Sequence, residues 1–100
     1  MTGSRPIVDL MFGDFLTLVM DQLANQAAKT HYMSGGKLNV PMVLRTNMGA
    51  TRRSAAQHSQ SLHAWLCHIP GLKVAMPSLG PAVVLHVWNS LQKCPLHRAG

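Results

Sequence analysis

Ile7-Val8-Asp9-Leu10-Met11-Phe12-Gly13-Asp14-Phe15 is the stretch on which the fold of this chain turns. Its first part, Ile7 to Phe12, is nearly all apolar and follows Arg5-Pro6. That length and those flanks suit a strand buried on both faces, as in a parallel sheet. Gly13 then breaks the run, and Asp14 is a residue type that caps helix starts. A helix is expected from about Phe15 to about His31, because Leu16, Val19 or Met20, Leu23 and Ala27 recur at helical spacing. Gly35-Gly36 supplies the stop signal. Ala24, Ala27 and Ala28 leave one side of this helix small. Ordinary core packing explains such a stripe, and close approach by a partner's helix is the other reading.

Beyond that helix, Val40-Pro41-Met42-Val43-Leu44-Arg45-Thr46 reads as a second buried strand, with Pro41 at its start, where a missing N–H is tolerated. A polar loop spans Asn47 to Gln57. A second helix is expected from about Ser59 to His68, ended by Pro70-Gly71, and Lys73 to Pro77 reads as a short third strand. The order strand, helix, strand, loop, helix, strand predicts an α/β protein: a parallel sheet with flanking helices and right-handed crossovers. In such sheets ligands bind beyond the carboxyl ends of the strands. Phe12 to Phe15 and Thr46 to His58 are segments of that kind. Further on, Ala82-Val83-Val84-Leu85-His86-Val87-Trp88 fits either a strand or a helix, and Gln92 to Gly100 has no periodicity.

Composition narrows the function classes. One hundred residues make one small domain. The 47% hydrophobic content argues for a packed or interface-rich chain over a disordered one. The formal charge of +6 reflects three acids more than nine bases. The bases are scattered, Arg52-Arg53 being their one adjacent pair, with no basic stripe or interleaved aromatics, so nucleic acid is not an expected partner. No apolar run reaches the ~18 residues of a membrane helix. No signal-peptide pattern follows the N-terminus, and a cytoplasmic protein is expected. Cys67 and Cys94 read as isolated reduced thiols. His63, Cys67 and His68 hint at a metal, but no second ligand pair stands at a recognisable spacing, and no metal site is predicted.

The chemistry-bearing candidate is His58 in Ala56-Gln57-His58-Ser59-Gln60-Ser61. Ser59 or Ser61 could cap the next helix, which would set the imidazole beside free N–H groups of a helix N-terminus. Read from the loop alone, such a histidine is more simply structural or exposed. Phe15 by itself is a core residue at a helix start, and Arg45 a structural strand-end cation. His31, His63 and His68 read as surface or helix-end groups, and Arg52-Arg53 as solvated loop.

A set of phrases in fixed order adds to this reading. They are Met1-Thr2-Gly3-Ser4-Arg5-Pro6, Met11-Phe12-Gly13-Asp14-Phe15, Met20-Asp21-Gln22, Asn25-Gln26-Ala27-Ala28-Lys29, Tyr32-Met33-Ser34-Gly35-Gly36, Val40 to Thr46, Ala56 to Ser61 and Ile69-Pro70-Gly71-Leu72-Lys73-Val74. Over about residues 1–78 the chain resembles the beta subunit of the decarboxylating component of 2-oxo acid dehydrogenase complexes, the pyruvate and acetoin branches nearest. The resemblance implies a partial transketolase-like pyrimidine-binding fold for thiamine diphosphate. It also implies an alpha2-beta2 heterotetramer, in which the alpha subunit shares the cofactor and holds most of its Mg2+ contacts. A lipoyl acyltransferase is a further implied partner.

Carried over by position, Phe15 resembles the aromatic contact to the pyrimidine ring, and Met11 a residue lining the same pocket. His58 resembles the active-site histidine, which donates to a substrate oxyanion or assists acyl transfer. The resemblance also implies an upstream glutamate that bonds the pyrimidine, and this chain contains no glutamate. After Ser78 the resemblance stops. The expected organisation is therefore a partial pyrimidine-binding domain at 1–78 and a non-family tail at 79–100. The expected function is that of a fragment of a 2-oxo acid dehydrogenase beta subunit, inactive alone, with open strand edges and exposed apolar faces that make it marginally stable or sticky. The alternative is a non-catalytic interaction subunit pairing with an alpha subunit through the Ala24/Ala27/Ala28 helix.

Overall fold

The computed structural model describes residues 3–50, 53–76 and 82–87, the last in backbone only. Strand β1 is Ile7–Leu10, and a tight 3-10 turn, Gly13–Phe15, leads from it into helix α1, Leu16–Asp21. The expected single helix is not uniform. Gln22–Ala27 winds more widely, with Ala28 N–H donating to Leu23 O at 2.9 Å, before helix α2, Thr30–Met33. Such π-type turns are set by packing, which a periodicity of 3.6 does not register. Side chains stitch the outside of this segment: Asn25 Nδ2 donates to Asp21 Oδ1 at 2.7 Å and Lys29 Nζ to Ala24 O at 2.9 Å. The chain then forms strand β2, Met42–Asn47, helix α3, His63–Cys67, and strands β3, Lys73–Ala75, and β4, Ala82–Val87.

The sheet order is β1-β2-β4-β3. β1 and β2 run parallel, with Ile7 opposite Val43 and Leu10 opposite Thr46. This parallel pair with its helices is the α/β core expected of the sequence. The segment left open between strand and helix is a strand: β4 lies between β2 and β3, antiparallel to both. The sheet is thus mixed.

The core is one-sided. Leu16, Leu23, Ala27, Leu44 and Leu66 form its buried cluster, with Leu10, Met42 and Val74 packed against it from the strands. Along β2, Leu44 and Thr46 are buried while Arg45 and Asn47 are exposed. The expectation that β1 is buried on both faces is therefore corrected: Ile7 is 75% exposed and Asp9 is exposed. A strand loses both faces to solvent-free packing only where helices lie on both, and here they cover one. On the open face Arg45 pairs with Asp9, its Nε donating to Oδ2 at 3.2 Å and its second guanidinium nitrogen to the same oxygen. The Asp9 hydrogen bond, and then its charge, raise the Arg45 guanidinium above its ordinary range.

The small helical residues serve this chain's own packing. Ala27 and Ala28 are buried. Gly71, at φ +96°, brings its backbone against Ala28, where an added Cβ would lie 2.4 Å from the Ala28 carbonyl oxygen. Two of the three residues proposed for a partner's helix are thus already covered, Ala27 by the core cluster and Ala28 by the turn ahead of β3.

Candidate functional site

The site forms where the ends of β1 and β2 meet the loop before α3. Gly13 makes the approach possible: a Cβ there would stand 2.5 Å from Met48 Cγ and 3.2 Å from the Asn47 carbonyl oxygen. With three residues per turn, the 3-10 geometry places Phe12 and Phe15 on one side, and their rings meet edge to face at 5.8 Å. Ala56–His58 forms a second 3-10 turn. It delivers the His58 ring to both aromatics, 4.7 Å from Phe12 and 5.6 Å from Phe15 between ring centroids. Edge-to-face contacts at these distances match the quadrupoles of the rings. His58 Nδ1 is buried and meets no hydrogen-bond partner among the described residues.

Two expectations about this loop are corrected. Helix α3 starts at His63, not near Ser59, so His58 does not stand at a helix N-terminus. Ser59 makes no cap either; its Oγ donates to Ala55 O at 2.7 Å, closing the tight turn that holds His58. Asp14 also forms no cap bond. It is buried, and its Oδ1 accepts both the Gln60 backbone N–H at 3.1 Å and the Gln60 side-chain Nε2–H at 2.9 Å. A carboxylate satisfied across the chain has no need of its own helix end. The Gln60 carbonyl in turn accepts the Gly49 N–H at 3.2 Å, closing the loop after β2.

Of the residues singled out from the sequence, Phe15 and His58 are brought together. Met11 lies outside the ring cluster and is 68% exposed. Phe12 and Asp14 lie in the segment singled out after the first strand but were given no role at the site, and Gln60 lies outside both segments. The spacing of Phe12 and Phe15 was the one available signal, and it points to a shared side only once a 3-10 turn is known. Cys67 is exposed, and among the described residues no group of three His, Cys, Asp or Glu could hold a metal ion. Cys94, His97 and Arg52 lie outside the described residues. No helix among the described residues is long and apolar enough to cross a membrane.

The ring cluster lies at the carboxyl end of the parallel strand pair of an α/β domain, and the comparisons specify which domain this is. The family model of the transketolase, pyrimidine binding domain matches residues 1–94, and the chain belongs to that family. It is similar to the pyruvate dehydrogenase E1 component subunit beta of Rhizobium meliloti (strain 1021), 57% identical over 77 residues, which cover 77% of this chain and 17% of that protein. The acetoin:2,6-dichlorophenolindophenol oxidoreductase subunit beta of Bacillus subtilis (strain 168) is 56% identical over 77 residues, 77% of this chain and 22% of the relative. The mitochondrial pyruvate dehydrogenase E1 component subunit beta of Bos taurus is 52% identical over 77 residues, 77% and 21%. The chain spans about a fifth of the length of these curated relatives.

Proposed function

We propose that this chain is a fragment of a 2-oxo acid dehydrogenase beta subunit, of pyruvate or acetoin type, that contributes one wall of a thiamine diphosphate site. The observation that carries this reading is the meeting of Phe15, Phe12 and His58, whose Nδ1 is buried and has no partner among the described residues. Aromatic surfaces and an imidazole fit a planar aminopyrimidine. Phe15 would hold the ring by contact, with Met11 at the pocket margin. His58 would donate a hydrogen bond to a developing oxyanion of the 2-oxo acid or carry a proton during acyl transfer. When bound, thiamine diphosphate supplies the carbanion chemistry, and the protein supplies placement and electrostatics.

The same reading assigns the diphosphate and its Mg2+ mainly to an alpha subunit and the acyl group to a lipoyl acyltransferase. It places the protein in the cytoplasm and ends the beta-subunit-like segment at residue 78, inside the stretch 1–94 that the domain family matches. It holds the chain inactive alone. Its acids are all engaged elsewhere: Asp9 with Arg45, Asp14 with Gln60 and Asp21 with Asn25.

Calorimetric titration with thiamine diphosphate and Mg2+, with and without a pyruvate dehydrogenase alpha subunit, tests the proposal. Binding is expected with the alpha subunit, weakened about tenfold by Phe15→Ala, the equivalent of one aromatic contact. An alpha subunit that binds the chain while the cofactor never does would favour the interaction role instead.

A further inference from the structure

We infer that Asp14 is a positioning residue for His58, acting through Gln60. Among the described residues the Nδ1 atom of His58 meets no partner, so no hydrogen bond from them at that atom sets the ring's orientation. The ring is held by Phe12 and Phe15 on one side and by the placement of its own backbone on the other. That backbone leaves the 3-10 turn at His58 and reaches Gln60, where it is tied down from two directions. Asp14 Oδ1 accepts the Gln60 N–H at 3.1 Å and its Nε2–H at 2.9 Å, and the Gln60 carbonyl accepts the Gly49 N–H at 3.2 Å.

Asp14 is the one buried acid of the chain; Asp9 and Asp21 are exposed. A buried carboxylate is retained where charge-assisted bonds offset its desolvation. Here both bonds cross from the turn after β1 to the segment after His58. The same turn carries Phe15 and directly follows Phe12. One carboxylate therefore ties the segment holding the aromatic rings to the segment holding the imidazole, and fixes the distance between them.

The inference rests on reading His58 as an active-site group, but its test needs no cofactor. The measurement is nitrogen NMR of the imidazoles in the full chain, for the wild type and for Asp14→Ala, Asp14→Asn and Gln60→Ala. In Asp14→Ala both ring nitrogens of His58 are expected to shift toward the values of an exposed imidazole. Gln60→Ala, at an exposed position, removes one of the two bonds and should shift them the same way by less. Asp14→Asn should leave them in place, because a carboxamide oxygen accepts the same two hydrogen bonds. His31, whose Nδ1 lies 3.1 Å from Leu38 O, is the internal control and should not move.

Unmoved His58 signals in Gln60→Ala, with Asp14→Ala either unmoved or unfolded, would overturn the inference. So would an Asp14→Asn chain that shifts His58 as far as Asp14→Ala does, or a His31 that moves in step with His58. A chain that never binds thiamine diphosphate would end the functional reading and leave this measurement standing.

Discussion

Phe12 and His58 meet edge to face with their ring centroids 4.7 Å apart, the tightest of the three ring contacts at the site. The contact joins a strand end to a loop that follows a different strand. Replacing Phe12 by Leu keeps an apolar side chain and removes the ring. Such a pair contributes about 1 kcal/mol beyond its buried area. Phe12→Leu should lower stability by about that amount in urea melts and weaken thiamine diphosphate binding in the presence of an alpha subunit. A variant that binds as well as the wild type would remove Phe12 from the site.

Strain sits at the entry to the 3-10 turn that ends in the same histidine. Ala55 has φ 64° and ψ 176°, a region used almost only by glycine. Holding a residue there costs on the order of 1–3 kcal/mol, and a glycine in its place adds up to about 1 kcal/mol of unfolded-state entropy. Ala55→Gly is expected to stabilise the chain by about 1 kcal/mol, the difference between these terms. A lowered melting temperature would contradict the strain.

Two glycines with positive φ should respond differently to alanine. At Gly71 the new Cβ meets the Ala28 carbonyl oxygen at 2.4 Å, whereas at Gly35 it meets nothing within 4 Å. Gly35→Ala should cost about 1 kcal/mol, from backbone conformation alone. Gly71→Ala adds an overlap with backbone that no rotamer relieves, and should cost roughly 3 kcal/mol or more. Equal losses in thermal melts would show that the β3 turn does not press on the helix.

The Asp9–Arg45 pair lies on the open sheet face, with side chains 50% and 58% exposed. Asp9 raises the Arg45 pKa, so the folded value lies above the unfolded one. Whatever stability this guanidinium contributes is therefore complete below its ordinary, strongly alkaline range and is lost only as pH rises through the still higher folded value. Arg45 should add no slope to stability between neutral and mildly alkaline pH. Screening also weakens exposed pairs, the Debye length falling to about 3 Å at 1 M salt. Arg45→Met should melt like the wild type in high salt, and a large deficit there would mean the pair is better shielded than its exposure implies.

Strand β4 is the only hydrogen-bonded neighbour of β3 among the described residues. Truncation after residue 78 should detach β3 and turn β2 into an open edge. Leu18, Ile7, Met11 and Met33 are already 79%, 75%, 68% and 68% exposed. The truncated chain should associate at lower concentration than the full one in size-exclusion chromatography, because unpaired edges and apolar surface template aggregation. A monomeric truncated chain with a sharp melt would show that residues 79–100 are not needed by the sheet.

Much of the local structure was legible before the fold was known. The apolar run at Ile7, the glycine break at Gly13 and the apolar run around Pro41 each depend on near neighbours. They placed β1, the following turn and β2 within a residue or two. The single long helix was misread because a π-type turn over Gln22–Ala27 leaves the apolar stripe nearly intact. The helix start near Ser59 was misread because two serines offered caps that go unused: Ser59 bonds back to Ala55 and the helix begins at His63 without a side-chain cap.

What the sequence by itself determined was the first three strands with helices between them and, through its ordered phrases, the family; it also singled out Phe15 and His58, whose rings the structure brings together. What only the tertiary structure decided was which groups surround them: Phe12 beside the imidazole, Asp14 bonded to Gln60, one covered sheet face instead of two, and β4 between β2 and β3. The physical reason is range. Propensity, turn chemistry and periodicity act over a few residues. The burial of Asp14 depends on where a loop 46 residues further along the chain comes to rest, and only the packed fold sets that.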